Sequence, residues 1–186
     1  METNLKQYVK VYDMLSSEEC SNVLQDLESN SWGKHSYHQN STNDFHQYSD
    51  EFNVSYNYSN ETFSLVSSRL QQSVVKYIKH FNFEWFTTIN GISPPRFNKY
   101  SENTQMRNHC DHIHSLFDGD IKGVPILTFL GSLNNDYVGG ELVFFDSDVI
   151  ELKMGQIMVF PSNFLYPHRV EPVKSGTRYS YVSGGV

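Results

Sequence analysis

The first periodic segment is Val9-Lys10-Val11-Tyr12, where apolar and polar positions alternate, and a period of two predicts a strand. The pattern then changes. Ser16 followed by Glu19 has the spacing of a capping box and predicts a helix from Ser17 to Glu28, packed on the outside of a sheet. From Thr62 to Lys79, Phe63, Val66, Leu70, Val74, Tyr77 and Ile78 recur at steps of mostly three and four, which predicts a second helix. The aromatic run Phe81-Asn82-Phe83-Glu84-Trp85-Phe86 is expected to anchor that helix to the sheet. Between the helices, residues 29–60 are polar and lack a sustained period; they read as loops and short strands beside a substrate entrance, or equally as a surface insertion.

After Pro94-Pro95 the pattern shifts to strands. Apolar or alternating runs fall at 95–100, around His109, and at 124–133, 141–145, 149–152, 156–160, 168–173 and 177–183. Turn signals separate them at Gly119, Asn134-Asn135-Asp136, Gly139-Gly140, Met154-Gly155 and Ser175-Gly176. About eight strands behind two helices predict a mainly β fold with flanking helices, a double-stranded β-helix of the jelly-roll type. A length of 186 residues fits one domain, with N-terminal helical support over about 1–93 and a β core over about 94–186.

Composition narrows the class. A hydrophobic content of 38% with 15% aromatic residues argues for a folded globule instead of disorder. A formal charge of −7 argues against nucleic acid as a partner, because phosphate backbones reward clustered Lys and Arg. Cys20 and Cys110 lie far apart, Met1-Glu2-Thr3-Asn4-Leu5-Lys6 has no apolar core of a signal peptide, and no apolar run approaches about 18 residues. The expectation is a cytoplasmic protein with no membrane partner.

Candidate chemistry centres on His109-Cys110-Asp111. In a strand, residues two apart share a face, so an imidazole and a carboxylate can grip one ion while Cys110 points away as a small core hydrophobe. A third ligand must come from elsewhere, and His168, at the start of another predicted strand, is placed to supply it. Two His and one carboxylate leave three positions of an octahedral metal open, the arrangement of non-heme Fe(II) oxygenases. In Arg178-Tyr179-Ser180-Tyr181-Val182, alternation puts Arg178, Ser180 and Val182 on one face, and a planar guanidinium suits a carboxylate. A rival metal pair is His112-x-His114, which would face the other way; otherwise these two are polar lid or substrate-facing groups. His35, His38 and His46 read as a surface loop with no acidic partner, and Gly139-Gly140 as a turn requiring positive φ. The chain shows no nucleophile elbow, phosphate-cradling glycine loop or zinc-type cysteine pair.

The ordered set of Tyr100 nine residues before His109, His109-x-Asp111, Gly139-Gly140-Glu141-Leu142, His168, and Arg178 ten positions beyond it resembles the Fe(II)/2-oxoglutarate dioxygenases, in their prolyl 4-hydroxylase-like branch. Leu15-Ser16-Ser17-Glu18-Glu19-Cys20 is similar to that branch's first helix. The resemblance implies iron held by His109, Asp111 and His168, with Arg178 pairing with the distal carboxylate of 2-oxoglutarate, Tyr100 donating its hydroxyl to the same group, and Ser180 assisting. Many prolyl hydroxylases place Lys where Arg178 stands, and Ile126-Leu127-Thr128-Phe129-Leu130-Gly131 lacks the tyrosine that some relatives direct toward 2-oxoglutarate.

The resemblance further implies a hydroxylase that uses Fe(II), 2-oxoglutarate and O2, supported by ascorbate, releases succinate and CO2, and acts on proline in a peptide or protein. Two alternatives stand beside it: the same chemistry on a free amino acid, nucleobase or small metabolite, and a cupin-like binding protein without turnover. A pure binder has no need of a dicarboxylate anchor.

Overall fold

The computed structural model describes residues 4–39, 44–111 and 125–186. A short 3-10 turn at Leu5–Tyr8 leads into β1 (Lys10–Asp13) and α1 (Ser17–Glu28). The expected capping box is formed in both halves: the Glu19 amide donates to Ser16 Oγ at 3.1 Å, and the Ser16 amide donates to Glu19 Oε2 at 2.8 Å. Four short strands follow, β2 (Gly33–Lys34), β3 (Tyr37–Gln39), β4 (Asp44–His46) and β5 (Asn53–Ser55). Next comes α2 (Asn60–Phe81), opened by Ser59 accepting from the Thr62 amide and closed at Asn82, whose φ of 48° is one that asparagine tolerates.

The remaining strands are β6 (Arg96–Tyr100), β7 (Met106–His109), β8 (Leu127–Ser132), β9 (Tyr137–Gly139), β10 (Leu142–Phe144), β11 (Asp148–Ile150), β12 (Gln156–Pro161), β13 (His168–Val170), β14 (Val173–Gly176) and β15 (Arg178–Gly185). One sheet runs β1-β12-β8-β15-β6-β5-β2 and a second runs β11-β10-β13-β7. This is the expected double-stranded β-helix.

Strand β12 shows how the layers are built. Ile157 and Val159 join α1 and α2 residues such as Cys20, Val23, Leu70 and Val74 in one core, while Met158 and Phe160 turn the other way. There they meet Leu130 and Tyr100 of the large sheet and Phe144 and Val170 of the small one. A strand buried on both faces needs apolar residues at every position, which explains the unbroken run Ile157-Met158-Val159-Phe160. Gly131 stands opposite Tyr181, whose ring would lie 2.0 Å from a Cβ added at the glycine.

Three expectations need correction. The predicted strand over 168–173 is two strands broken at Glu171-Pro172, because proline has no N–H for a ladder, and Ser175-Gly176 closes β14 instead of lying in a separate turn. Strand β9, pairing with β14, is too short for its period to show in the sequence. In the aromatic run, Phe81 and Phe86 pack on the helix-side core, but the chain turns at Glu84-Trp85 and leaves Trp85 stacked on Phe83 and 82% exposed. Among the described residues no helix is long and apolar enough to cross a membrane.

Candidate active site

Pairing of β7 with β13 sets His109 directly opposite His168, with ring centroids 4.3 Å apart. The Asp111 carboxylate bridges them, Oδ1 at 3.2 Å from His109 Nε2 and Oδ2 at 3.5 Å from His168 Nε2. One ligand-type atom from each residue lies within 4.8 Å of the others. Strand alternation is not the cause for Asp111, since β7 ends at His109 and the aspartate belongs to the chain just beyond it.

The imidazoles are held by their other nitrogens. His109 Nδ1 lies 2.8 Å from the Arg107 carbonyl and His168 Nδ1 3.1 Å from the Tyr166 carbonyl. A carbonyl can only accept, so Nδ1 carries a hydrogen in each ring and Nε2 is left to face Asp111, donating to it when the ring is protonated and offering a lone pair to a cation when the ring is neutral. Phe144 stacks on His168 at 5.0 Å and Phe160 meets its ring edge-on at 5.2 Å, fixing a side chain only 3% exposed.

Burial pushes the Asp111 carboxyl up, but the facing charge of His168, the hydrogen bond and charge of His109 and a hydrogen bond from Thr128 outweigh it and hold the group well below the usual carboxylate range. For His109, burial pulls down while Asp111 raises, and the imidazole ends above its ordinary value. For His168 burial wins, so this ring is the more readily neutral. Asp111 Oδ2 is buried with no hydrogen-bond partner among the described residues. Three converging acceptors, one an orphaned anionic oxygen, fit a divalent cation with nitrogen and oxygen ligands.

The cavity at the triad is lined by Phe52, Arg96, Asn98, Tyr100, Met106 and Val170 beside the three residues themselves. Arg178 pairs in register with Tyr100, and its guanidinium lies 5.0 Å from that ring. Only 2% exposed, Arg178 donates from Nη1 to Ser180 Oγ at 3.1 Å and has no carboxylate partner among the described residues. It borders a separate cavity with Tyr137, Gly140, Glu141 and Leu142, so Tyr100 is the residue that touches both Arg178 and the triad cavity. Burial pushes the Tyr100 hydroxyl up to about 12, although Arg178 and Arg96 pull it down, so it remains a donor at neutral pH. Gly139 and Gly140 have φ of 80° and 65°, and a Cβ on Gly140 would press on Arg178 Cδ at 3.1 Å; the turn also makes room for the arginine.

The histidine-rich segment is corrected in part. His35 is buried, not on the surface, and has an acidic partner: its Nδ1 lies 3.1 Å from Glu51 Oε2, and its ring stacks on Phe52 at 4.4 Å. Burial lowers its pKa despite Glu51, so it donates as a neutral ring. Glu51 also accepts from Arg107 Nη1 at 3.1 Å, and Phe52 stacks on Tyr100 at 4.4 Å. Cys110 is half-buried, not a core residue, with its thiol 3.6 Å from the Phe164 carbonyl. His112 and His114 lie outside the described residues, as does the side chain of His38.

Sequence reasoning did not single out Arg96, Asn98, Phe52 or Glu51. The first two carried a usable signal, because Arg96, Asn98 and Tyr100 share parity along β6.

A model of the 2OG-Fe(II) oxygenase superfamily matches residues 95–183, the stretch that holds the triad, Tyr100 and Arg178. The matched stretch, just under half of the chain, is similar to the 2OG-Fe(II) oxygenase superfamily. A PKHD-type hydroxylase of Methylobacterium nodulans is 34% identical over 102 residues, covering 48% of this chain and 41% of that protein. A second, from Pseudoalteromonas atlantica, is 27% identical over 181 residues, covering 90% and 73%. The chain thus spans less than half the length of the first of these relatives. The fold is similar to that of a Trichoplax adhaerens prolyl hydroxylase solved with a peptide fragment of the hypoxia-inducible-factor oxygen degradation domain, with TM-score 0.68, 18% identity, and coverage of 96% of this chain and 83% of that one. For an oxygenase of this superfamily, which takes Fe(II) and 2-oxoglutarate, the donor set described above is chemically suited to the metal and the buried guanidinium to the dicarboxylate.

Proposed function

We propose that this protein is an Fe(II)- and 2-oxoglutarate-dependent hydroxylase of prolyl residues in a peptide or protein. The observation that carries the reading is the pairing of a converging acceptor triad with a buried arginine on the barrel's inner face that has no carboxylate partner among the described residues. When bound, iron and 2-oxoglutarate supply the oxidising chemistry, one atom of O2 entering the substrate and the other leaving in succinate, with loss of CO2.

The chain's own residues hold, orient and shield. His109, Asp111 and His168 hold the metal, each imidazole aimed by its Nδ1–H donating to a main-chain carbonyl. Arg178 binds the distal carboxylate of 2-oxoglutarate, Tyr100 donates its hydroxyl to the same group, and Ser180 fixes the guanidinium by accepting from Nη1. Leu130, Met106 and Val170 make the walls apolar, which keeps water from the reacting centre. The PKHD-type names and the prolyl hydroxylase fold support proline as the target.

The test is succinate formation from 2-oxoglutarate with iron and ascorbate, followed by incubation with a proline-rich peptide library and location of added oxygen by tandem mass spectrometry. Peptide hydroxylation at proline is expected. Turnover that hydroxylates only free proline or another metabolite would move the substrate to small molecules and leave the oxygenase reading standing.

A further inference from the structure

Arg96 begins β6 at the mouth of the barrel, directly opposite Val182 of β15. Its Nε donates to Asn98 Oδ1 at 3.1 Å, Asn98 Nδ2 donates to Ser180 Oγ at 3.5 Å, and Ser180 also accepts from Arg178. A continuous hydrogen-bonded ladder therefore links two arginines that stand at opposite ends of the same strand pair, roughly 13 Å apart along the backbone. Arg178 stands at one end, beside the cavity lined by Tyr137 and Gly140. Arg96 stands at the other, outer end.

That outer end opens into a cavity of about 470 Å³ lined by Tyr56, Pro94, Arg96, Asp111, Pro125 and Val182. Asp111 lines this cavity too, and Arg96, Asp111 and Val182 are shared between it and the cavity at the triad. Tyr56 is largely exposed there, and Pro94 and Pro125 add apolar surface to the lining. Among the described residues no carboxylate lies within ion-pair distance of Arg96, and its two terminal nitrogens have no hydrogen-bond partner. With Nε tied to Asn98, the guanidinium fork is held in one orientation at little further entropic cost. A fixed, unneutralised fork suits a carboxylate through two parallel hydrogen bonds.

We propose that Arg96 binds a carboxylate of the substrate, making the outer cavity selective for an anionic group close to the carbon that is hydroxylated. This deepens the proposed function and rests on it. The same chemistry can come from an acidic side chain beside proline in a peptide or from the carboxyl group of a free amino acid. Tyr56, Pro94 and Pro125 add apolar surface suited to the stem of either one.

The test measures binding, separately from turnover. Wild-type protein and the variants Arg96→Met and Arg96→Lys, loaded with 2-oxoglutarate and a redox-inert divalent ion, are titrated calorimetrically with a proline peptide bearing glutamate next to proline, with its glutamine counterpart, and with free L-proline and its amide. In the wild type the carboxylate form of one pair binds about tenfold more tightly than its neutral form. Arg96→Met abolishes that preference and Arg96→Lys retains part of it, while the affinity of the neutral forms changes far less. Preference confined to the peptide pair identifies a side chain as the source, and preference confined to proline identifies a free acid. No preference in either pair, or a preference undiminished in Arg96→Met, overturns the proposal. Succinate formation without substrate reads the oxygenase function independently of either result.

Discussion

Phe52 stacks on Tyr100 with ring centroids 4.4 Å apart and planes 18° from parallel, while His35 stacks on the opposite face of the arrangement at 4.4 Å from Phe52. The column continues to Arg178, whose guanidinium lies over Tyr100. A loop residue from before α2 is thereby packed against the proposed co-substrate contact. Phe52→Leu keeps an apolar side chain in the core but removes the stack, so we expect a stability loss of about 1 kcal/mol and weaker 2-oxoglutarate binding with unchanged metal affinity. Denaturant unfolding and calorimetry read the two effects; equal 2-oxoglutarate affinity in the variant would mean that Tyr100 needs no support from Phe52.

Metal binding is expected to depend on Asp111 and not on the rival pair. Asp111→Ala should weaken a divalent ion by more than the ~10–100-fold that loss of a supporting partner costs. His112→Ala should leave it unchanged. The opposite result in a metal titration, with His112→Ala losing the ion and Asp111→Ala keeping it, would transfer the site to His112 and His114.

Arg178→Ala should bind metal normally and lose about 1.5–3 kcal/mol of 2-oxoglutarate affinity, the value of charge-assisted hydrogen bonds. Gly140→Ala is expected to weaken the same affinity, because its φ of 65° disfavours a side chain and the added Cβ meets Arg178 Cδ. Calorimetry with both variants decides whether the turn supports the anchor. An unaffected Arg178→Ala would move the anchor elsewhere.

The capping box of α1 carries a pH signature. The Ser16 amide, then Arg69 Nη2, hold the Glu19 carboxyl below its ordinary value. A carboxyl lowered on folding contributes stability that is present above the usual glutamate range and is lost as pH falls through the lowered value. Ser16→Ala should cost about 1 kcal/mol near neutral pH, and Glu19→Gln should differ from wild type near pH 7 but converge with it in acid. Thermal unfolding across that range checks both, and a pH-independent gap for Glu19→Gln would remove the ionised carboxylate from the account.

The elements that the sequence made legible are those whose cause is local. The α1 cap at Ser16 and Glu19 and the apolar stripe of α2 are determined within a few residues, and the structure forms both where expected. His109, Asp111, His168 and Arg178 were legible because their residue types are rare in that order, and the fold brings the first three within ligand distance. What escaped is set by tertiary contact. His35 looked like one of several loop histidines because its partner Glu51 and its neighbour Phe52 become adjacent only through the sheet. Sequence reasoning did not single out Arg96, and its lack of a carboxylate partner among the described residues is visible only when the surrounding strands are in place. Cys110 was assigned to the core by alternation, which no longer holds once β7 has ended.

The register that sets His168 against His109, and Tyr100 against Arg178, joins stretches widely separated along the chain. Such pairings form slowly, because the entropy of closing long loops is lost before their contacts are gained. No ion-binding triad exists in a chain that has yet to make them, so a metal held there is a ligand of the native state alone. At a free concentration of 100 times its dissociation constant, such a ligand shifts the folding equilibrium by about 2.7 kcal/mol. A chelator would therefore expose the protein to unfolding and proteolysis as well as silencing it, and metal supply would set the lifetime of the folded molecule.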